Sequence, residues 1–326
     1  MGGVGFAVVE FDTTGLMASH SDRATEITIV QLSVDGRVQH RWSSRLSIPD
    51  RHPSDPGVRA APRFDEIVGT VVSLLSGRVL VAHGATLHVG FLARELERVG
   101  LSLPDSTVAV CTLHRTQRLY PGVPRSARQA CLALGAQPGE LPSDGSFRTG
   151  DAAATATLLA TLIERDEDRS FWDRRVREAH AVVWPRVAGA RAAAVAGTRS
   201  AETVAPAGFF PRLVPQLPVT AGPDEHHDYL ALVDLCLVRG WLGEADSLAL
   251  VRLAERLNIS RFVCESLHVD YFRALSDLAL RETATLSHSR VARLWAVGHL
   301  LDLPTSAILD ALGQVHRRDV RQLLAG

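Results

Sequence analysis

Two acidic side chains, Glu10 and Asp12, lie one residue apart in the stretch VVEFDTTGL. The β-branched residues before them and the polar residues after them predict a buried strand that ends near Gly15. Residues i and i+2 of a strand point to the same face, so we expect the two carboxylates to lie side by side. Burying such a pair is costly unless a cation lies between them. The stretch therefore predicts a site where a cation binds or once bound.

The composition limits the kind of protein that carries this stretch. With 326 residues and 46% hydrophobic content, the chain is long enough for two domains with ordinary cores. A net charge of −1 gives no overall positive field for nucleic acid, so any such contact must be local. No apolar run approaches the roughly 20 residues of a membrane helix, and the N-terminus lacks a leader pattern, so we expect a cytoplasmic protein.

The cysteines do not indicate a further site. They are far apart and show no CxxC spacing, so neither a disulfide framework nor a zinc site is predicted. The four are Cys111, Cys131, Cys236 and Cys264.

The pattern from Phe6 to about Ile163 predicts an α/β domain, with a mixed central sheet flanked by helices. After the first strand, EITIVQLSVDG and RVQHRWSSRL predict a hairpin with its turn at Asp35 and Gly36. Strands are predicted in VLVAHG and TVAVCTL. Helices are predicted in RFDEIVGTVVSLLSG, HVGFLARELERVG, SARQACLALGA and DAAATATLLATLIER.

The second part of the chain predicts a linker followed by an all-α domain. We expect residues 166–224 to be the linker, with its apolar part FFPRLVPQLP packed onto one domain. Residues 225–326 are helical in pattern and repeat with a period of about 43 residues. The pairs are Asp234 with Asp277, Leu237 with Leu280, Leu242 with Leu286, and Leu257 with Leu301. Each repeat predicts a helix, a short turn and a second helix.

Three stretches of the first part resemble the motifs of the DEDDh 3′ to 5′ exonucleases, the superfamily of the proofreading ε subunit of DNA polymerase III and of ribonuclease T. VVEFDTTGL resembles the first motif, HGATLH (83–88) the second and SFRTGDA (146–152) the third. The resemblance covers roughly residues 5 to 164 in the family's order. It implies a ribonuclease H-like exonuclease fold, which we assign to residues 1–165.

The resemblance also implies which residues do chemistry. The catalytic positions are Glu10, Asp12, His88, Ser146 and Asp151. In the family, carboxylates at three of these positions hold divalent metal, either Mg²⁺ or Mn²⁺. The matching residues in this chain are Glu10, Asp12 and Asp151. A cleft that uses no metal is the alternative.

Other matched positions contact the substrate in the family, which implies a single-stranded nucleic-acid 3′ end or a nucleotide as partner. The Thr-Thr-Gly-Leu turn holds the terminal sugar and base, while an arginine and a histidine near the site are candidates for substrate contacts. The positions are Thr13, Thr14, Gly15, Leu16, His83 and Arg148.

The sequence departs from the family at several of these positions. The family has Asp at the position of Glu10 and Glu at the position of Asp12, so the longer and the shorter side chain are interchanged here. This moves each carboxylate by about 1 Å, whereas functional sites tolerate around 0.5 Å. His88 stands where the family has Asp, and Ser146 stands where it has the general-base His. Losing the base alone costs on the order of 10² to 10⁴ in rate. His88 is either a ligand for a transition metal or a simple loss of the acid.

The helical region resembles the TerB-like domain that follows exonuclease domains in some bacterial proteins, which implies a protein-interaction role. Three functions follow from these resemblances. The first is an exonuclease-fold protein that binds nucleic-acid 3′ ends or nucleotides with weak or absent catalysis. The second is an active metal-dependent 3′ to 5′ exonuclease with an altered ligand set. The third is a scaffold that acts through its helical domain, with no membrane contact in any of the three.

Overall fold

The structure is a computed structural model. It describes residues 4–15, 22–48, 61–138, 147–187, 209–218, 222–239, 244–282 and 287–312. The chain divides into two compact units. The first comprises Met1–Val123 and Ala127–Val204, and the second comprises Pro124–Ser126 and Ala205–Gly326.

A mixed sheet organises the first unit. Its strands are β1 (Gly5–Thr13), β2 (Ala24–Leu32), β3 (Val38–Arg45), β4 (Arg78–Ala82) and β5 (Ala109–Cys111). Their order is β3-β2-β1-β4-β5. The first three strands are antiparallel neighbours, whereas β4 runs parallel to β1 and β5 runs parallel to β4. This is the strand arrangement of the ribonuclease H-like fold, so the predicted fold class is confirmed.

Helices cover the sheet. They are α1 (Phe64–Leu75), α2 (Ala85–Arg98), α3 (Thr112–Leu119), α4 (Ala127–Ala133), α5 (Phe147–Arg165) and α6 (Arg169–Ala181). The hairpin turn at Asp35 and Gly36 is also present, since the Ser33 N–H donates to Arg37 O at 2.9 Å and Gly36 has a φ of 82°. The strand predicted in TVAVCTL ends earlier than expected. The pairing of this strand, β5, with β4 ends at Cys111 and Ala82, and Thr112 begins α3.

The alternation of side chains along β1 separates two cores. Phe6 and Val8 belong to a core formed with α5, while Val9 and Phe11 belong to a core formed with α1 and α2. Because side chains of a strand alternate between faces, Glu10 continues the face that packs against α5. The strand therefore directs its first acidic side chain toward that helix.

The structure contradicts a linker that begins at residue 166. Helix α6 starts within the charged run, with the Asp168 side chain accepting a hydrogen bond from the Phe171 N–H at 3.1 Å. Its Trp172 is 3% exposed and packs edge-on against Phe6, with ring centroids 5.7 Å apart. The indole N–H of Trp172 donates to the buried Asp166 carboxylate at 3.0 Å. The charged composition suggested a linker, but its charges are capping and ion-pairing groups of a packed helix.

The described part of the second unit is helical, as predicted. Its elements are α7 (Phe209–Leu213), a 3₁₀ turn (Val214–Gln216), α8 (Asp224–Arg239), α9 (Glu244–Arg256), α10 (Arg261–Glu282), α11 (His288–Leu300) and α12 (Thr305–Leu312). The apolar segment predicted to pack onto a domain is buried at Phe209, Phe210, Leu213 and Val214. Within the described residues, no helix combines the length and the apolar character that crossing a membrane requires.

The sequence repeat is also a structural repeat. Helices α9 and α11 both end in the same turn, in which Asn258 and Asp302 adopt a left-handed φ of 53°. In each turn the N–H that follows donates back into the helix: Ile259 to Ala254 O and Leu303 to Gly298 O, both at 2.9 Å. Asparagine and aspartate tolerate this conformation better than most residues, which explains their place at the two helix ends.

Candidate functional site

Glu10 is almost enclosed at the carboxyl end of β1. The residue is 8% exposed. One carboxylate oxygen, Oε2, lies 2.9 Å from His88 Nε2, and the other, Oε1, accepts a hydrogen bond from Thr155 Oγ1 at 3.1 Å. His88 is on α2 and Thr155 is on α5, so two helices on different sides of the strand each provide one donor.

The imidazole of His88 is fixed through its second nitrogen as well. The backbone N–H of Phe11 donates to His88 Nδ1 at 3.1 Å. The pairing of β1 with β4 ends at Val8–Val81, so Phe11 lies beyond the last residue that β4 can pair with. Because Nδ1 accepts a hydrogen bond, the ring proton is assigned to Nε2, which donates it to Glu10.

These contacts favour an ionised Glu10. Burial by itself would raise the pKa of the carboxyl group, but His88, His83 and the Thr155 hydroxyl outweigh it and lower the pKa below its ordinary value. Glu10 therefore carries a buried negative charge whose partners are protein side chains.

Asp12 lies where the strand passes into the polar turn. It is partly exposed, and its Oδ1 accepts a hydrogen bond from the N–H of Thr13 at 2.8 Å. The hydroxyl of Thr13 in turn donates to Gly15 O at 2.8 Å. The turn predicted to hold a substrate is thus folded back on itself by short-range hydrogen bonds.

The start of β2 supports the same turn. The Thr14 N–H donates to Arg23 O at 2.9 Å, and the Arg23 N–H donates to Thr14 Oγ1 at 3.1 Å. The Thr14 hydroxyl lies 3.2 Å from Asp22 Oδ1. A Cβ added at Gly15 would overlap Asp22 Oδ2, so a larger residue here requires the Asp22 carboxylate to move.

A buried carboxylate on α2, Glu95, holds the start of β2. It is 1% exposed and accepts two hydrogen bonds from Arg23, from Nε at 2.9 Å and from the terminal nitrogen at 3.0 Å. It also accepts from the Ala24 N–H at 3.0 Å and from Arg98 at 2.9 Å. The sequence did not predict this group. Its signal was an acid at the buried spacing of α2, four residues after Phe91 and seven after His88.

His83 and Gly84 connect β4 to α2. His83 Nδ1 lies 2.9 Å from the Thr112 hydroxyl, and the residue is partly buried. Gly84 is the N-cap of α2 and adopts a left-handed φ of 83°. Glycine adopts this conformation without strain, which allows the chain to pass from β4 directly into α2.

Comparisons with known proteins agree with this geometry. The ε subunit of DNA polymerase III from Treponema pallidum is 36% identical over 132 residues, which span 37% of this chain and 60% of that protein. The ε subunit from Pasteurella multocida is 27% identical over 171 residues, 47% of this chain and 67% of that protein. No family model matches the chain. Over about half of its length the chain is similar to the DnaQ-like DEDD exonuclease domain.

The likeness to solved structures is too weak to add to this comparison. Exonuclease X in complex with 5′-overhanging duplex DNA is 20% identical, with a TM-score of 0.37 over 52% of this chain and 99% of that one. The assignment therefore depends on the strand order and on the sequence relatives. The chain spans less than two thirds of the Treponema protein's length.

The remaining predicted site residues of the DnaQ-like domain are described in part or not at all. Leu16 and Ser146 lie outside the described residues. Arg148 and Asp151 are in the first turns of α5, and their side chains also lie outside the description. The backbone of Asp151 is one helical turn before Thr155, so the two positions share a face of α5. The structure thus brings Glu10, His88 and Thr155 together and leaves the roles of the others as predictions.

The histidine beside Glu10 is not arranged as a ligand for a divalent metal. Mg²⁺ and Mn²⁺ prefer oxygen ligands, and a histidine ligand must present a lone pair to the ion. His88 instead presents an N–H to Glu10, while its other nitrogen is occupied by Phe11. In this arrangement His88 is not a metal ligand.

Proposed function

We propose that the cleft beside β1 binds the 3′ end of a single-stranded nucleic acid, or a nucleotide, with weak or absent cleavage. One observation carries the proposal, a contrast between neighbouring parts of the site. The turn from Thr13 to Gly15 is supported by a hydrogen bond within itself and by one from Arg23, the residue before β2. The acid at Glu10, by contrast, is bonded to His88 and Thr155. This contrast favours binding over hydrolysis.

The class of ligand follows from the relatives. Two of them are ε subunits of DNA polymerase III, and a third, from Bacillus subtilis, is the 3′ to 5′ exonuclease DinG, 27% identical over 126 residues, which span 36% of this chain and 13% of that protein. The weak catalysis follows from the departures in this chain. Ser146 replaces the general base, and a misplacement of about 1 Å at an acid costs roughly 10²-fold in rate. The two effects act in the same direction.

Binding and cleavage can be measured on the same oligonucleotides. We expect short single-stranded DNA or RNA, labelled at the 5′ end, to bind with a Kd on the order of 1 μM in fluorescence anisotropy. A 3′-phosphate on the same strand should weaken binding about tenfold, because it occupies the place of the terminal hydroxyl. Gel assays in Mg²⁺ and in Mn²⁺ should show little or no shortening.

Other outcomes would favour the other functions. Cleavage that disappears in Asp151→Ala would contradict the proposal and indicate an active metal-dependent exonuclease. Cleavage that persists in Asp151→Ala would come from a contaminant. If neither oligonucleotides nor nucleotides bind or raise the melting temperature, the binding proposal fails and a scaffold role remains.

A designed variant tests whether the cleft has kept its shape. Glu10→Asp, Asp12→Glu, His88→Asp and Ser146→His together restore the family's residues at four positions. We expect this variant to cleave the oligonucleotides that the natural chain only binds. Absence of cleavage in a folded variant would mean that the cleft has changed beyond its catalytic residues.

For the helical unit we propose protein binding, in line with its resemblance to TerB-like domains. Three large apolar side chains support this, because they are 48%, 54% and 79% exposed. They are Leu248 and Val251 on α9 and Phe262 on α10. Self-association that increases with concentration in sedimentation velocity, and that Phe262→Ser weakens, would identify a second copy of the chain as one partner. Sedimentation identical in both proteins would exclude it.

A further inference from the structure

Each carboxylate oxygen of Glu10 already has a hydrogen-bond donor from the protein. A buried carboxylate needs a cation or hydrogen-bond donors to balance its charge. The side chain of Glu10 is 9% exposed, and each of its oxygens faces a donor, from His88 at 2.9 Å and from Thr155 at 3.1 Å. The need for a cation, which the sequence raised, is met here by protein groups.

Moving the ring proton of His88 from Nε2 to Nδ1 would be energetically costly. If Nε2 were to offer a lone pair to an ion, the ring proton would move to Nδ1. That proton would then face the N–H of Phe11 across 3.1 Å, and two donors would oppose each other. The N–H cannot turn away, because Phe11 is part of β1 and pairs in register with Ile27 of β2.

The helix that carries His88 also resists a shift. Phe91 and Leu92, one turn further along α2, are at most 1% exposed and belong to the core formed with α1. Glu95, two turns further along, is bonded to Arg23 and to the Ala24 N–H. Moving His88 away from Glu10 would therefore disturb packing and hydrogen bonds along the helix.

We infer that His88 replaces a divalent cation as the partner of Glu10, so that ligand binding in this cleft does not require a metal bound to that carboxylate. A Mg²⁺ ion on Glu10 Oε2 would lie about 2.0–2.1 Å from that oxygen. It would meet the positive end of the Nε2–H bond there. This inference builds on the proposed function, but its main test measures metal binding and not nucleic acid.

Titration with Mn²⁺ followed by electron paramagnetic resonance is the first measurement. Replacing the imidazole with a carboxylate, His88→Asp, should raise the affinity for Mn²⁺ at least about tenfold, because two buried acids then face each other without a donor. The matched control is His88→Asn, because asparagine has nearly the same shape as aspartate but carries no charge. This variant should not gain affinity for Mn²⁺. A His88→Asp protein that binds Mn²⁺ no better than His88→Asn would overturn the inference.

The natural chain gives a second test that requires no change at His88. The affinity of the natural chain for Mn²⁺ should be unchanged by Glu10→Gln. A loss of Mn²⁺ affinity of about tenfold or more in Glu10→Gln would show that Glu10 is a metal ligand after all. Long-range ¹H–¹⁵N spectra of ¹⁵N-histidine protein should show His88 as the Nε2–H form, and an Nδ1–H form would contradict the inference. The peak is assigned by its absence from His88→Asn.

Oligonucleotide binding separates the two proposals. With the natural chain, anisotropy in EDTA and in Mn²⁺ should give Kd values within about twofold of each other. A requirement for Mn²⁺ that Glu10→Gln abolishes would overturn the inference and leave binding itself intact. If no oligonucleotide binds in either buffer, the proposed function fails, and the Mn²⁺ titrations decide the inference alone.

Discussion

His88 is able to satisfy two groups of β1 because an imidazole accepts at one nitrogen and donates at the other. It accepts from the Phe11 N–H and donates to Glu10. An aspartate at the same position could accept from the N–H, but it has no proton to donate to a second carboxylate. The exchange of one residue thus changes what the neighbouring acid needs, from a cation to a hydrogen bond.

Gly15 gives a prediction at the same scale. In Gly15→Ala the new Cβ would displace the Asp22 carboxylate, and with it the contact to the Thr14 hydroxyl. Because the turn is the proposed ligand contact, we expect oligonucleotide affinity to fall about tenfold in anisotropy measurements. Overall stability should change by only about 1 kcal/mol, because the turn is at the surface.

Gly90→Ala is the matched control for that substitution. Gly90 lies inside α2, and an added Cβ meets nothing within 4 Å. Alanine is the better helix former by about 1 kcal/mol, so this variant should melt slightly higher and bind equally well. Equal losses of affinity in both variants would argue against a role of the turn in binding.

Part of this site could be predicted from the resemblance of the sequence motifs. Glu10 and His88 were predicted to share a site, and the structure brings them within hydrogen-bonding distance. Thr155 could not be predicted, because a threonine inside an alanine-rich helix carries no chemical signal of its own. Only the packing of α5 against β1 brings its hydroxyl to Glu10.

Helix α2 connects the acidic strand to the turn that follows it. His88 in its first turns contacts β1, and Glu95 two turns later contacts the start of β2. Since the Thr14–Gly15 turn follows β1 and is hydrogen-bonded to Arg23, the residue before β2, one helix positions both sides of the proposed binding site. The rigidity of this helix is therefore part of the site.

Removing the Glu95 carboxylate tests the role of that helix. In Glu95→Ala, Arg23, Arg98 and the Ala24 N–H all lose an acceptor in a buried place. We expect the free energy of unfolding to fall by about 3–5 kcal/mol, measured by urea denaturation. Glu95→Gln keeps one oxygen acceptor and should lose less.

Glu97→Ala is the control on the same helix. Glu97 is 49% exposed and pairs with Arg94 at the surface, so its removal should cost no more than about 0.5 kcal/mol. A Glu95→Ala protein as stable as Glu97→Ala would mean that the buried network contributes little.

At the level of elements, periodicity predicted the helices well where a hydrophobic stripe was present, as in α1 and α2. It failed at α6, where charged residues outnumber apolar ones and a single tryptophan provides most of the burial. It also extended β5 too far, because the length of that strand is set by its partner β4 and not by its own residues.

In the molecule as a whole, the two helical repeats have kept their backbone and changed their side-chain partners. Asp234 accepts a hydrogen bond from Tyr271 at 2.8 Å and pairs with Arg125 at 2.7 Å, whereas its counterpart Asp277 is exposed. Arg125 lies in the short segment Pro124–Ser126 that belongs to the second unit. Sequence could not predict this division, because three residues carry no pattern that separates them from their neighbours.

The buried aspartate predicts a dependence of stability on pH. Burial raises the pKa of Asp234 to about 6, even though Arg125 and Tyr271 act in the opposite direction. The folded chain then binds this proton more tightly than the unfolded chain, so the free energy of unfolding should fall as pH rises from about 4 to about 6. The decline from this group is at most about 3 kcal/mol.

Two substitutions at equivalent repeat positions isolate that effect. Asp234→Asn cannot titrate, so its urea-unfolding energy should decline less than that of the natural chain over the same pH range. Asp277→Asn, at the exposed position, should decline as the natural chain does. The same pH profile in all three proteins would contradict the assignment to Asp234.

The hydrogen bonds of His88 also constrain how this cleft could change over evolutionary time. A return from histidine to aspartate would place two buried acids together, and without a bound cation the chain would pass through a less stable state. A change of Glu10 to the shorter aspartate would draw the carboxylate away from the His88 N–H and the Thr155 hydroxyl. Each single step back lowers stability first, so the present arrangement resists reversal even where no selection acts against catalysis.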